Sequence, residues 1–357
     1  MDIIVKDTNV LPIAVVDLYS SFLWSERYIG TGDFILEVPL DSNYLDYLAI
    51  GNYLTLKDSD RAMIIQQMEI SSAIDTGKRT VVYKGETLEV ILKRRIVWGI
   101  EKYQGRIESV IQTLLNKNAI RPAISARKIP NLVYIRPTDS VTTAYLASLD
   151  PIAGQFEGEN LFDAIKSLCE QANLGFKITF NNAGKFEFRL YYGTDRSIGQ
   201  TARDPIVFSP EYDTLVNSRY VHSVTNYKNV ALIAGESQND TVIYASAHLE
   251  DSEPTGLSRR EMYVSASDMK SEDFGAQYTS ALQYRGLLEL QDNSTTGVFD
   301  GEVDTVLGPK FGSDYYLGDF VYTVNEHGLG SVAQVTEYIR SHDENGYSAY
   351  PTFVMLN

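Results

Sequence analysis

The sequence predicts a β-rich α+β protein of several domains: two small β-barrels, one near each end, and an inserted helix–hairpin α+β domain. Three observations carry this. Residues 1–100 and the stretch after Pro205 read as short runs rich in Ile, Val, Leu and Tyr, separated by Gly, Asp, Asn and Ser. The middle of the chain switches to a helical period. An internal echo links the two ends.

The expected strands of the first barrel, residues 1–100, are Val10–Asp17, Ser21–Tyr28, Phe34–Leu40, Tyr53–Lys57, Ala62–Ile70 and Arg79–Lys84, with a hairpin turn at Asp75-Thr76-Gly77. In the α+β domain, residues 101–205, Ile107, Val110, Ile111, Leu114 and Leu115 recur at the spacing of one helix face. A second helix starts at Asn160, a good N-cap, with Asp163 placed to return a capping-box bond; its stripe is Leu161, Ile165, Leu168 and Ala172, and Gly175 stops it. Phe176–Phe180 and Phe186–Tyr192 form a hairpin across Asn181-Asn182-Ala183-Gly184.

Residues 206–265 are a β segment returning to the barrels: Thr214–Thr225, Val230–Gly235 and Thr241–Ser246. The second barrel, residues 266–357, opens with a helix over Ser271–Leu290 that presents Phe274, Tyr278, Ala281, Leu282 and Arg285. Strands at Val298–Asp304, Phe320–Val324, Val332–Arg340 and Tyr347–Met355 complete it. The echo aligns Gly51-Asn52-Tyr53 with Gly318-Asp319-Phe320, Glu69 with Glu337, Val81 with Ala349, and Phe34–Val38 with Phe299–Val303. Two copies of one β-barrel in one chain would leave this trace.

Composition bounds the function. At 357 residues the chain exceeds an ordinary single domain, and 44% apolar with 22% charged residues excludes disordered and collagen-like classes. A formal charge of −16 argues against a surface that grips phosphate backbones. The single cysteine excludes an intrachain disulfide or cysteine-rich zinc framework. No apolar run is long enough for a membrane span, so no stable membrane insertion is expected. Met1–Lys6 lacks a signal-peptide pattern, so export by the usual route is not expected either. The 24 tyrosines suit half-buried strands and interfaces.

No catalytic signature emerges, and no catalytic, cofactor-binding or metal-binding residue is assigned; no cofactor and no enzymatic activity are expected. His222, His248, His327 and His342 are scattered without ligand spacing, and His327 reads as part of a turn. Cys169 lies beside a helix stripe and reads as a buried apolar residue rather than a thiol nucleophile. Glu157, Glu159 and Asp163 are the densest carboxylates, the type of set a glycosidase needs, but they lead into a helix N-terminus where carboxylates are favoured anyway. Ser341–Gly346 lacks calcium-loop spacing and reads as a turn. Lys93-Arg94-Arg95, Ala126–Pro130 and Arg259-Arg260-Glu261 read as packed or interface segments with arginines paired to carboxylates.

Several segments occur together in one order: Gly32–Pro39, Arg94–Trp98, Ala126–Leu132, Gly158–Leu161, Val207–Asp213, Asn226–Ala231, Leu257–Met262, Leu317–Val321, Asp343–Tyr347 and Pro351–Phe353. This set resembles the tail-tip hub family of long-tailed, non-contractile bacteriophages and prophages of Gram-positive hosts, and the resemblance covers essentially the whole chain. It implies a homotrimer in which each subunit gives two β-barrel hub domains to a pseudo-sixfold ring joining the sixfold tail tube to a threefold tip. It further implies a place at the distal tip of the virion, after synthesis in the host cytoplasm. The implied partners are the distal tail protein, the tape-measure protein's C-terminus and receptor-binding or tail-fibre proteins. DNA would pass without specific binding. Against longer members, this chain stops at Asn357 with no appended peptidase, lysin or receptor-binding domain, so wall cutting and host recognition are expected of other proteins. The rival expectations are a tail-associated cell-wall hydrolase and a carbohydrate-binding adsorption module.

Overall fold

The computed structural model describes residues 2–356 apart from 41, 73–78, 182, 239–240, 294–295 and 305–306. The first region holds β1 (Ile3–Lys6), β2 (Pro12–Val16), β3 (Ser21–Arg27), β4 (Asp33–Pro39), β5 (Tyr53–Leu56), β6 (Ala62–Ser72) and β7 (Arg79–Thr87). Next come β8 (Ile100–Gly105), α1 (Ile107–Leu115), β9 (Leu132–Ile135), α2 (Ser140–Ser148), β10 (Ile152–Glu157), α3 (Leu161–Gln171), β11 (Gly175–Phe180) and β12 (Phe186–Tyr191). The rest is β13 (Val207–Phe208), β14 (Leu215–Ser223), β15 (Val230–Gln238), β16 (Thr241–His248), β17 (Glu261–Ser265), α4 (Ser271–Phe274), α5 (Tyr278–Asp292), β18 (Thr296–Val303), β19 (Phe320–Val324), β20 (Gly330–Asp343) and β21 (Gly346–Met355).

Local chemistry explains most of these elements. Every residue of the α1 stripe is buried, so the period read from sequence is the face that packs. Asn160 caps α3 by accepting from the Phe162 amide at 2.9 Å. Among the described residues Asp163 does not return the bond, and the side-chain Nδ2 of Asn160 donates to the Lys93 carbonyl. The β11–β12 turn is held by Asn181, whose side-chain oxygen accepts from the Ala183 and Lys185 amides, with Gly184 at φ +70°. The expected turn at Asp75-Thr76-Gly77 lies outside the described residues.

Strands β1–β7 and β13, β14 and β18–β21 join one large sheet, in the order β14-β18-β21-β20-β3-β4-β7-β6-β5-β1-β2, with β19 pairing β20 and β13. The expected barrels are therefore corrected: among the described residues no sheet closes on itself. A strand has two edges, and the edge of β3 that closure would need is taken by β20. The expected β segment 206–265 divides by sheet membership, because β15–β17 form a sheet of their own while β13 and β14 join the large one. The helix expected at Ser271–Leu290 is broken at Gly275 (φ +53°), and α5 buries Tyr278, Ala281 and Leu282 in a cluster with Ile233 and Ala247 of that small sheet, outside the large sheet.

The large sheet contains one pattern twice. The order β3-β4-β7-β6-β5 is matched by β14-β18-β21-β20-β19. Trp24 faces Phe34, which faces Gly85, which faces Ile65; Tyr220, Phe299, Phe353 and Val335 follow in the same way. Both long strands then bulge one residue further on, before Gln67 and before Glu337. Gly51 donates to the Ile65 carbonyl at 2.8 Å and Gly318 to the Val335 carbonyl at 2.7 Å, with φ +94° and +91°. Val81 and Ala349 occupy matching places, as the echo predicts, but the glutamate alignment is corrected: Glu337 matches Gln67, and Glu69 matches Ile339. Three more residues separate Gly318 from Val335 than separate Gly51 from Ile65, and sequence spacing alone could not place them.

A candidate assembly interface along the shared sheet

The two copies meet where β3 pairs with the second half of β20, from Arg27 opposite Glu337 to Phe22 opposite His342. Side chains lock this seam. On β3, Phe22, Trp24 and Glu26 alternate onto the core face, so the carboxylate is carried inside and needs a partner there. Its partner is Arg340, 1% exposed, whose Nη1 lies 2.5 Å from Glu26 Oε1. The same oxygen accepts from Trp24 Nε1 at 2.9 Å and Ser59 Oγ at 2.7 Å, and Asp58 stands 3.5 Å from Arg340 Nε. Burial works against the Arg340 charge, but Glu26 and Asp58 outweigh it and hold its pKa above the ordinary value. On the other face Arg27 bridges Asp33 at 2.5 Å and Glu337 at 2.7 Å.

A second buried pair ties the seam to the α+β region. Arg61 Nη1 lies 2.5 Å from Glu89 Oε1, which also accepts from the Ile178 amide at 2.8 Å. Arg61 Nη2 donates to the Tyr191 hydroxyl at 2.9 Å. Neither arginine pair was singled out from sequence. For Glu26 and Arg340 the available signal was parity: a Glu or Arg in phase with buried aromatics of an alternating strand predicts a buried partner. Arg61 precedes β6 and Glu89 lies in the helical turn after β7, where no alternation gives that signal.

Beyond the seam the two copies differ in exposure. Tyr338 of β20, 5% exposed, lies under Phe311 and Tyr315 of the β18–β19 connection, and Arg340, 1% exposed, lies against Phe311 and against Glu26 of the neighbouring copy. Their counterparts on β6, Met68 and Ile70, are 46% and 57% exposed. Trp24 of β3 is fully buried, whereas its counterpart Tyr220 on β14 is 39% exposed.

The residues weighed for chemistry scatter. Cys169 is fully buried, and burial pushes its thiol pKa up, against nucleophilicity. Glu159 and Asp163 share a cleft with Tyr103, Gln155, Tyr284 and Arg285, while Glu157 is exposed. Burial raises the Glu159 carboxyl, with Arg285 opposing. His248 bonds the Glu250 carbonyl, His342 the Tyr19 hydroxyl, and the His327 amide donates to Asn325 in the β19–β20 turn. Among the described residues no cluster of metal-ligating side chains occurs. Lys93 pairs with Glu86, but Arg95 donates to the Arg127 carbonyl at 2.6 Å, so among the described residues the expected pairing of arginines with carboxylates does not form there. Arg127 lies over Trp98. Arg259 bridges Glu253 and Glu261. Asp343–Gly346 is the tight β20–β21 turn, with Asp343 accepting from the Asn345 amide.

This architecture recurs in solved structures. The 43 kDa tail protein of prophage MuSo2 from Shewanella oneidensis matches with TM-score 0.63 at 13% identity, over 99% of this chain and 98% of that one. The tail protein from Neisseria meningitidis MC58 matches with TM-score 0.60 at 13% identity, over 99% and 96%. Prophage tail protein gp18 from Listeria monocytogenes EGD-e matches with TM-score 0.56 at 13% identity, over 99% and 94%. At that identity the likeness is one of fold. No curated protein matches the chain by sequence. The family model for the siphovirus ReqiPepy6 Gp37-like protein does match, over residues 2–353, and that span, taking in both copies of the sheet and everything between them, makes the chain a member of that family.

Proposed function

We propose that this chain is a structural hub protein of a phage tail tip, three copies of which form a pseudo-sixfold ring that links the tail tube to the tip and gates genome passage. The observation that carries the reading is the duplicated sheet: one chain holds two copies of the same strand order and register, side by side. Three such chains present six similar modules to a sixfold tube while keeping threefold symmetry toward the tip. The fold shared with phage tail proteins supports it. The face of the sheet turned away from the core carries Asp33, Glu37 and its counterpart Glu302, together with Glu69, Glu86 and Glu337, against Arg27, Lys84 and Arg219. A net-acidic channel wall lets DNA pass without binding it. In this reading each copy of the sheet is an open, barrel-like hub domain that neighbours complete, and residues between them form the peripheral α+β parts. The distal tail protein, the tape-measure C-terminus and receptor-binding or fibre proteins are the neighbours. The fold neighbours come from three different bacteria, so the Gram-positive host rests on the motif set alone.

Native mass by light scattering with negative-stain imaging tests the ring: a threefold ring with a central opening is expected, and a compact two-chain particle overturns it. A cell-wall hydrolase is favoured by one observation, the raised Glu159 carboxyl beside Asp163. Clearing of purified cell walls by the native chain, lost in Glu159→Gln, would replace the structural reading.

A further inference from the structure

The intrachain seam is a template for the contact between chains. We propose that the second half of β6, Gln67–Ser72, pairs antiparallel with β14, Ser218–Ser223, of a second copy of this chain, in the register that β20 and β3 use within one chain. The matched positions set this register: Arg340 opposite Trp24 becomes Ile70 opposite Tyr220, and Glu337 opposite Arg27 becomes Gln67 opposite Ser223. This rests on the ring reading and names its interface.

Three observations converge. The first is an open edge in the matching place. β5 pairs with β6 only at Ala62–Ile64, as β19 pairs with the first half of β20, and past the bulge β20 takes up β3. Among the described residues no strand takes up the corresponding edge of β6, and β14 ends the sheet with β18 as its one neighbour. Open edges of this length invite another strand. The second is uncovered apolar surface on those strands. Met68 and Ile70 sit opposite the buried Tyr83 and Val81, on the core face, yet stand in solvent, and Tyr220 stands out where Trp24 is enclosed. The third is geometry. β6 and β14 lie at opposite flanks of the duplicated unit, so the contact is head-to-tail, and such contacts close into rings when the rotation per module is regular. The seam repeats that rotation inside every chain. β2, at the far end of the sheet, has no such template, because β19 is followed by the parallel β13 instead.

The test is a pair of cysteines in the full-length chain, Ile70→Cys with Tyr220→Cys. Both residues are exposed in the single chain, so the substitutions leave its core intact, and Cys169 is enclosed. Mild oxidation is expected to convert the protein to covalently linked species up to three chains, absent in either single variant. A control pair, Ile70→Cys with Val224→Cys, puts the second thiol one residue past the end of β14 and four residues out of register, roughly 13 Å away at the rise of extended backbone and beyond disulfide reach, and is expected not to link. Ile70→Asp is expected to lower the native mass from three chains to one with an unchanged circular dichroism spectrum. A double variant that is trimeric by mass yet does not link through the two introduced thiols overturns this pairing and leaves the ring standing. A protein that is one chain at every concentration and does not link overturns both.

Discussion

Arg340 and Glu26 show how a single pair joins distant parts of the chain. Each is at most 3% exposed, so neither can lose its partner without leaving a charge in the core. Glu26→Ala should therefore destabilise the protein by about 3–5 kcal/mol in urea unfolding, whereas Glu26→Met combined with Arg340→Met should recover most of that loss. Additive losses in the double variant would show that the pair does not act as a unit. Cys169 makes the opposite point. Its thiol is enclosed and its pKa is raised by burial, so thiol reagents should label it only after denaturant is added. Labelling of the native protein would show that the helix α3 face opens.

At the scale of elements, the matched glycines separate backbone strain from packing. Gly51 and Gly318 hold the same left-handed conformation at the start of the same hairpin. A Cβ on Gly51 meets nothing within 4 Å, while one on Gly318 would lie 2.4 Å from the Tyr28 ring. Gly51→Ala should cost about 1–2 kcal/mol from strain alone. Gly318→Ala should cost that and roughly 1–3 kcal/mol more, because Tyr28 is itself fully buried and has little room to move. Thermal unfolding of the two variants checks the difference. Equal losses would mean that the Tyr28 ring relaxes freely.

At the scale of the whole molecule, the repeated Phe-x-x-Glu-Val run places Glu37 and Glu302 at matching points of the outward face. In a ring of three chains these become six carboxylates around one level of the channel. Phage carrying Glu37→Lys with Glu302→Lys should assemble but release DNA more slowly, with the delay shrinking as ionic strength rises. Release rates unchanged at low salt would place this face away from the passing genome.

Periodicity and punctuation were enough to read the strands from β2 to β7 and from β18 to β21, and the α1 and α3 faces, because each is an amphipathic pattern whose period is local. The same local patterns carried the duplication, in Gly51 and Gly318 and in Phe34 and Phe299. Short or unpatterned elements such as β1, β8, β9 and α2 were missed, since four to nine residues with mixed burial carry little period. What only the tertiary structure decided was pairing: that β20 leaves β19 for β3, that Glu337 answers Gln67 rather than Glu69, and that Arg340 is enclosed by Glu26 more than three hundred residues away. Strand partners are chosen by hydrogen bonds between distant segments, and a sequence pattern states which face a residue takes but not which strand will lie beside it.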